Sequence, residues 1–109
     1  MIEHYSFGEI VINGRQYTSD VLIIGSEVHN WWRAQGHILN PEDLTEIFSK
    51  NIDMLVVGTG ASGLLKVPER TEKYVRSKGI ALIVQKTKEA VKTYNSLSGK
   101  KAAAFHLTC

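Results

Sequence analysis

Cysteine is almost missing: Cys109 is the only one in 109 residues. That excludes a disulfide-stapled miniprotein, so a core of apolar side chains must hold the chain together. No run reaches 18 apolar residues, so no membrane span is expected. The opening Met1-Ile2-Glu3-His4-Tyr5 lacks the basic and apolar segments of a secretion signal, and a cytoplasmic protein is the expectation. There is no internal repeat, low-complexity tract or linker, which leaves one domain over residues 1–109. Aromatics make up 8% and are not interleaved with the lysines, and the pI is 8.7, so no nucleic-acid partner is expected.

What is present is ordinary for a globular domain: 43% apolar and 22% charged residues. The net charge of +2 divides unevenly, −5 over residues 1–54 and +7 over residues 55–109. Lysines on the exposed faces of C-terminal helices account for the split, and attraction of an anion to one side of the domain is the second reading.

The N-terminal third reads as strands. Glu9-Ile10-Val11-Ile12 and Arg15-Gln16-Tyr17-Thr18 flank Asn13-Gly14, a pair suited to the positive φ angles of a type I′ hairpin turn. Val21-Leu22-Ile23-Ile24 is a continuous apolar run, as in a strand buried on both faces, and Val28 to Trp32 suits an edge strand. The pattern then changes. Asn40-Pro41-Glu42-Asp43 opens a helix with Leu44, Ile47 and Phe48 on one face. Met54 to Val57 is a strand. Pro68 opens a second helix that turns Tyr74 and Val75 inward, Ile80 to Val84 is the next strand, and Thr87 caps a third helix striped by Ala90, Val91, Tyr94 and Leu97. Ala102 to Leu107 is the last strand. Strand and helix alternating in this way predict a three-layer α/β domain with a central mixed, mostly parallel sheet and helices packed on it. The N-terminal β-hairpin adds strands to that sheet or forms a second small layer.

Gly58-Thr59-Gly60-Ala61-Ser62-Gly63 matches G-x-G-x-x-G directly after a strand. A dinucleotide site also needs a helix that opens at the loop and an acid after the next strand. Here Leu64 to Val67 intervene, and Gln85-Lys86 stands where the acid would be. No Gly-Lys-Ser/Thr follows, so a P-loop is excluded as well, and no cofactor is expected. Small residues at a strand's carboxyl end still leave a crevice. Backbone N–H groups of Gly58, Thr59, Gly60 and Gly63, with Ser62, Lys66 and the helix start at Thr87, form a candidate site for a small anionic ligand. The alternative is that the glycines only permit a tight crossover.

His106-Leu107-Thr108-Cys109 suggests a metal or a Cys–His pair. However, residues three apart on a strand face opposite ways, and no further ligand stands at zinc spacing, so no metal is expected. A terminal carboxylate beside the thiol also disfavours a nucleophile. Trp31-Trp32-Arg33 places neighbouring indoles on opposite faces. One is then core and the other exposed beside Arg33, a composition typical of a protein partner's contact. An apolar edge strand near Trp31 or Trp32 also offers a template for weak homodimer pairing. His37 reads as a surface loop residue and Asp53 as a turn residue. With no nucleophile, base and orienting group at usable spacing, the reading is a binding or assembly-type module. An enzyme on an anionic metabolite, using Lys66, His106 or Cys109, is the alternative.

Several of these segments recur together in one known family. They are Tyr5-Ser6-Phe7-Gly8, Trp32-Arg33 with Gly36-His37, Pro41-Glu42-Asp43-Leu44, and Val57-Gly58-Thr59-Gly60 running to Leu65-Lys66-Val67-Pro68. Thr87-Lys88-Glu89-Ala90-Val91, Tyr94-Asn95 and His106-Leu107-Thr108-Cys109 complete the set. In this ordered collection the chain resembles a family of domains of unknown function that includes the adipogenesis-associated domain protein and a mitochondrial respiratory complex I assembly factor. The resemblance covers essentially the whole chain. It implies a three-layer α/β fold with a central mixed sheet, and no enzymatic activity to be assumed. The chain begins without the targeting extension a mitochondrial member carries, in keeping with the cytoplasmic expectation.

Overall fold

The computed structural model describes residues 1–109. Strands β1 (Ile2–Ser6), β2 (Glu9–Ile12) and β3 (Arg15–Tyr17) form an antiparallel sheet of their own. A second sheet of five strands has the order β5-β4-β8-β6-β7, with β4 at Val21–Ile24, β5 at Glu27–Asn30, β6 at Met54–Thr59, β7 at Ala81–Gln85 and β8 at Lys101–His106. A 3-10 turn at Pro41–Leu44 runs into α1 (Thr45–Phe48), and α2 (Glu69–Ser77) and α3 (Thr87–Ser96) connect the parallel strands.

The Asn13-Gly14 hairpin forms as expected, with φ of 50° and 81° at the two turn residues. It does not extend the main sheet but builds the second small layer. Strand β1 escapes a reading by pattern because Ile2 is its only fully buried side chain, so no alternation marks it. It pairs with β2 through a tight turn at Phe7-Gly8, where Gly8 has φ of 79°.

The five-stranded sheet is mixed as expected, with two parallel and two antiparallel pairings. β8 and β7 run parallel to β6, whereas β4 runs the other way and pairs antiparallel with both β8 and β5. The physical reason lies in the short link Gly25-Ser26, which can only fold β5 back onto β4, and in β4 entering opposite to β8.

Alternate residues of β4, β6 and β8 feed two cores. Leu22, Ile24, Leu55, Val57, Ala102 and Ala104 point to the side covered by α1 and α2, with Leu44, Ile47 and Val75. Val21, Ile23, Val56, Ala103 and Phe105 point to the side covered by α3 and the small sheet, with Ile10, Ile12, Ala90 and Tyr94. The continuous apolar runs are thus strands buried on both faces. The alanines of β8 let helix and sheet approach closely at the centre.

Local details differ at three helices. At the first, Asp43 joins the N-cap Asn40 in a capping box, its carboxylate accepting the Asn40 N–H at 2.9 Å, while the Asn40 side chain also meets Arg70 and Gln35. Tyr74 is exposed, edge-on to Phe48, and buried Thr71 fills the inward position beside Val75, its hydroxyl donating to the Leu39 carbonyl at 2.8 Å. Thr87 is the first residue of α3 and Lys86 sits at the cap, because the Thr87 hydroxyl is drawn elsewhere.

Candidate functional site

The glycine loop closes around the chain's own segment 106–109. Four successive carbonyls of that segment are each held. The Thr87 hydroxyl donates to His106 O at 2.6 Å. The Gly8 N–H and the Tyr5 hydroxyl both donate to Leu107 O at 2.9 Å. Ala61 N–H donates to Thr108 O at 3.1 Å, and Leu64 N–H to Cys109 O at 3.2 Å. Gly60 is required by this closeness. Its φ is +104°, and a Cβ there would lie 2.3 Å from Thr108 O and 2.9 Å from the His106 ring. Gly58 is packed as tightly, since a Cβ would meet Phe105 at 2.7 Å and Thr87 Oγ1 at 2.8 Å.

The candidate anion site is therefore distributed differently from the expectation. Gly58, Gly60 and Thr87 are buried, and Gly60 N–H donates to Thr87 Oγ1 at 2.8 Å. Thr59 is buried too, its hydroxyl donating to Gln85 O at 3.1 Å. Gly63 N–H turns back to Gly60 O at 3.3 Å. Only Ser62 and Lys66 present exposed side chains. The largest concavity, about 550 Å³, lies at the opposite end of the sheet, where Ile24, Glu27, Lys50, Ile52, Tyr94 and Lys101 contribute to its walls.

The triplet at residues 31–33 is divided as its spacing suggested. Trp31 is buried, with its indole N–H donating to Asp43 O at 2.9 Å, whereas Trp32 is 80% exposed. Arg33 stacks over the Trp31 ring at 4.5 Å and has a side chain only 5% exposed. The edge strand itself stops at Asn30, so neither indole lies on it.

Arg33 leads to a cluster that sequence reasoning missed. Asp20, at the entrance to β4, takes His106 Nδ1 at 2.8 Å on Oδ2 and the Leu107 N–H at 2.8 Å on Oδ1. Arg33 Nη1 stands 2.9 Å from the same Oδ2, and Nη2 reaches Gly36 O at 2.9 Å. Two groups compete for His106 Nδ1: Asp20 Oδ2 at 2.8 Å, which only accepts, and Arg33 Nη2 at 3.1 Å, which only donates. Because Nη2 already donates to Gly36 O at 2.9 Å, the shorter Asp20 bond places the proton of a neutral ring on Nδ1 and leaves Nε2 the acceptor. That Nε2 is buried and has no hydrogen-bond partner in the protein. Such an orphan costs about 1–3 kcal/mol and calls for a reason. One ring nitrogen each of His37 and His106 and the Cys109 sulfur lie within 4.8 Å of one another.

This overturns the expectation that His106 and Cys109 face opposite ways. Strand β8 ends at His106, so alternation no longer applies beyond it. The loop draws the Thr108 and Cys109 carbonyls inward, and Cys109 turns back at φ of 34°. His37 is positioned by its own carbonyl, which accepts the Lys66 N–H at 2.8 Å. Nothing local in the sequence signals Asp20, which meets His106 from 86 positions away. Tyr5, bonded beside this cluster, has its phenol pushed above the usual range, first by burial and then by the Asp20 charge.

Fold and site together define a class: a small mixed α/β domain in which a glycine loop encloses the end of a central strand. A conserved hypothetical protein from Pyrococcus horikoshii OT3 shares this architecture, with a TM-score of 0.90, 29% identity, and 100% of this chain and 99% of that one aligned. A Mth938-like domain from Bordetella pertussis shares the fold at a TM-score of 0.75 and 17% identity, over 97% of this chain and 84% of that one. The chain belongs to the family described as protein of unknown function (DUF498/DUF598), whose model matches residues 2–107. It is also 31% identical over 102 residues to a Xenopus tropicalis protein named NADH dehydrogenase (ubiquinone) 1 alpha subcomplex assembly factor 3. That match takes in 92% of this chain and 55% of the relative, so the chain spans about half the relative's length.

Proposed function

We propose that the chain is an assembly-type module that binds a protein partner at the end of the sheet carrying Trp32. One observation carries this reading. Phe7, Trp32 and Leu64 are 68%, 80% and 46% exposed, and each belongs to a segment that grips residues 106–109. Phe7 precedes Gly8, Trp32 precedes Arg33, and Leu64 donates its own N–H to Cys109. Large apolar side chains held at fixed positions by a rigid backbone suit a partner's apolar segment, because little entropy is lost on docking. Lys66 and Ser62 add polar groups at the rim, where an anionic group of the partner would sit. The relative named as an assembly factor supports the same role. No helix is long and apolar enough to cross a membrane, and a free thiol at Cys109 suits a reducing compartment such as the cytosol.

The test is affinity capture from the native cell with the wild-type chain and Trp32→Ala, beside a metabolite-binding screen. A stoichiometric protein partner retained by the wild type and weakened roughly 30-fold by Trp32→Ala is expected for a central aromatic contact. A single metabolite bound and turned over, with no partner, overturns the reading in favour of an enzyme on an anionic substrate.

A further inference from the structure

The structure assigns a metal site to His37, His106 and Cys109, and we infer that it takes a borderline transition-metal ion, Zn²⁺ in the first instance. Three independent observations converge on it. The donor atoms of the three residues already stand within 4.8 Å of one another. His106 Nε2 is buried and has no hydrogen-bond partner in the protein. The other nitrogen of that ring is held by Asp20 at 2.8 Å, with Arg33 Nη2 at 3.1 Å, which fixes the direction of Nε2. A carboxylate behind a histidine is the arrangement that orients imidazole toward a metal and raises its basicity.

The geometry also indicates where the site must adjust. Bonds of about 2.0–2.1 Å to nitrogen and 2.3 Å to sulfur bring tetrahedral ligands closer together than the outer separation seen here. His106 cannot move, being held by Asp20 and packed against the backbone of Gly60. His37 is exposed, on a loop anchored through its backbone rather than its ring, and its ring meets that of His106 edge-on at 5.9 Å. Closure is therefore a rotation of the His37 side chain. Cys109 binds as thiolate and releases its proton to solvent. The Asp20 and Arg33 charges offset each other, which leaves the thiolate as the net negative ligand. Two imidazoles and one thiolate suit zinc or copper rather than magnesium or calcium, which prefer oxygen donors. Three protein ligands leave a fourth position for water or for a group from a partner. The glycine loop then has a clear role in this site, since Gly60 lets residues 106–109 curl back so that the sulfur reaches the histidines.

Tag-free protein, kept reduced with a non-thiol reductant, would be titrated with Co²⁺ alone and then challenged with Zn²⁺. One Co²⁺ per chain is expected, with a near-ultraviolet sulfur-to-cobalt band that Zn²⁺ removes. Cys109→Ser should abolish the band, and His37→Ala should weaken affinity at least tenfold. Because His37 is exposed, His37→Ala should keep the wild-type circular dichroism and melting temperature without metal. Zn²⁺ should raise the melting temperature of the wild type but not of His37→Ala. His29→Ala, a histidine paired with Glu27 on the edge strand, should bind as the wild type does. Absence of the sulfur band, equal affinity in the wild type and both ligand variants, or dependence on His29 instead of His37 would overturn the assignment.

Discussion

Thr87 Oγ1 joins chain segments 27 and 19 residues away, accepting from Gly60 N–H and donating to His106 O. With the residue fully buried, nothing else can satisfy those groups. Thr87→Val keeps the shape but orphans a donor and an acceptor, and a loss of about 2–4 kcal/mol in urea unfolding is expected. Gly60→Ala should cost at least as much, because a positive φ adds about 1–3 kcal/mol of strain to the clash with Thr108 O. Gly14→Ala isolates the strain, since its Cβ would meet nothing within 4 Å. If the two glycine variants melt alike, the close approach at Gly60 contributes nothing. At this scale the sequence was partly legible. Three glycines in six residues signalled close backbone approach, but not that the approaching chain was the protein's own. Strand alternation anticipated the Trp31 and Trp32 division, although the strand itself ends at Asn30 and the two indoles are parted by the loop instead. Asp20 could not be found, because a lone acid before a strand looks the same whether it faces water or a histidine 86 positions on.

The elements with strong periodicity were legible and the weak ones were not. Strands β4, β6 and β8 announce themselves as apolar runs because both their faces are buried, and the Asn13-Gly14 turn marks its hairpin by conformation alone. Strand β1 is set by tertiary partners instead: Asn95 of α3 both donates to Ile2 O at 2.7 Å and accepts the Ile2 N–H at 3.0 Å, and Tyr5 bonds Leu107. Helix α3 docks through Tyr94, which lies edge-on to Phe105 and under the Lys101 ammonium at 4.2 Å. Burial pushes the Tyr94 phenol above its ordinary 10.0, and Tyr5 shifts the same way. Above about pH 10 the unfolded chain then releases protons that the folded chain retains, so the unfolded state binds fewer. Stability should be full below about pH 10 and decline as pH rises through the folded values. Urea midpoints at neutral and alkaline pH check this, and Tyr94→Phe should flatten the alkaline decline. A steeper decline in that variant would contradict the assignment.

Across the whole molecule the two ends of the five-stranded sheet have opposite character. One end carries the enclosed segment 106–109 with exposed Phe7, Trp32 and Leu64 on the segments around it. The other carries the groove to which Lys50, Lys100 and Lys101 contribute, where Lys101 is already bonded to the Tyr94 and Leu97 carbonyls at 2.6 and 2.7 Å. The charge split of the sequence does not become a split of the fold, because β8 from the basic half lies between β4 from the acidic half and β6. Under the proposed reading, the apolar end and the lysine-lined groove make different demands on a partner. Contacts centred on an aromatic anchor respond to truncation and tolerate salt, whereas contacts to exposed lysines are screened by it. Capture of the partner should therefore be lost in Trp32→Ala and reduced in Phe7→Ser and Leu64→Ser. It should survive both 0.5 M salt, roughly where screening shortens to a few ångströms, and the charge reversals Lys50→Glu and Lys100→Glu. Because these side chains are exposed, all the variants should fold, and circular dichroism would verify that. If the charge reversals or salt release the partner while Trp32→Ala retains it, binding belongs to the groove, and the Trp32 end serves only the enclosed segment.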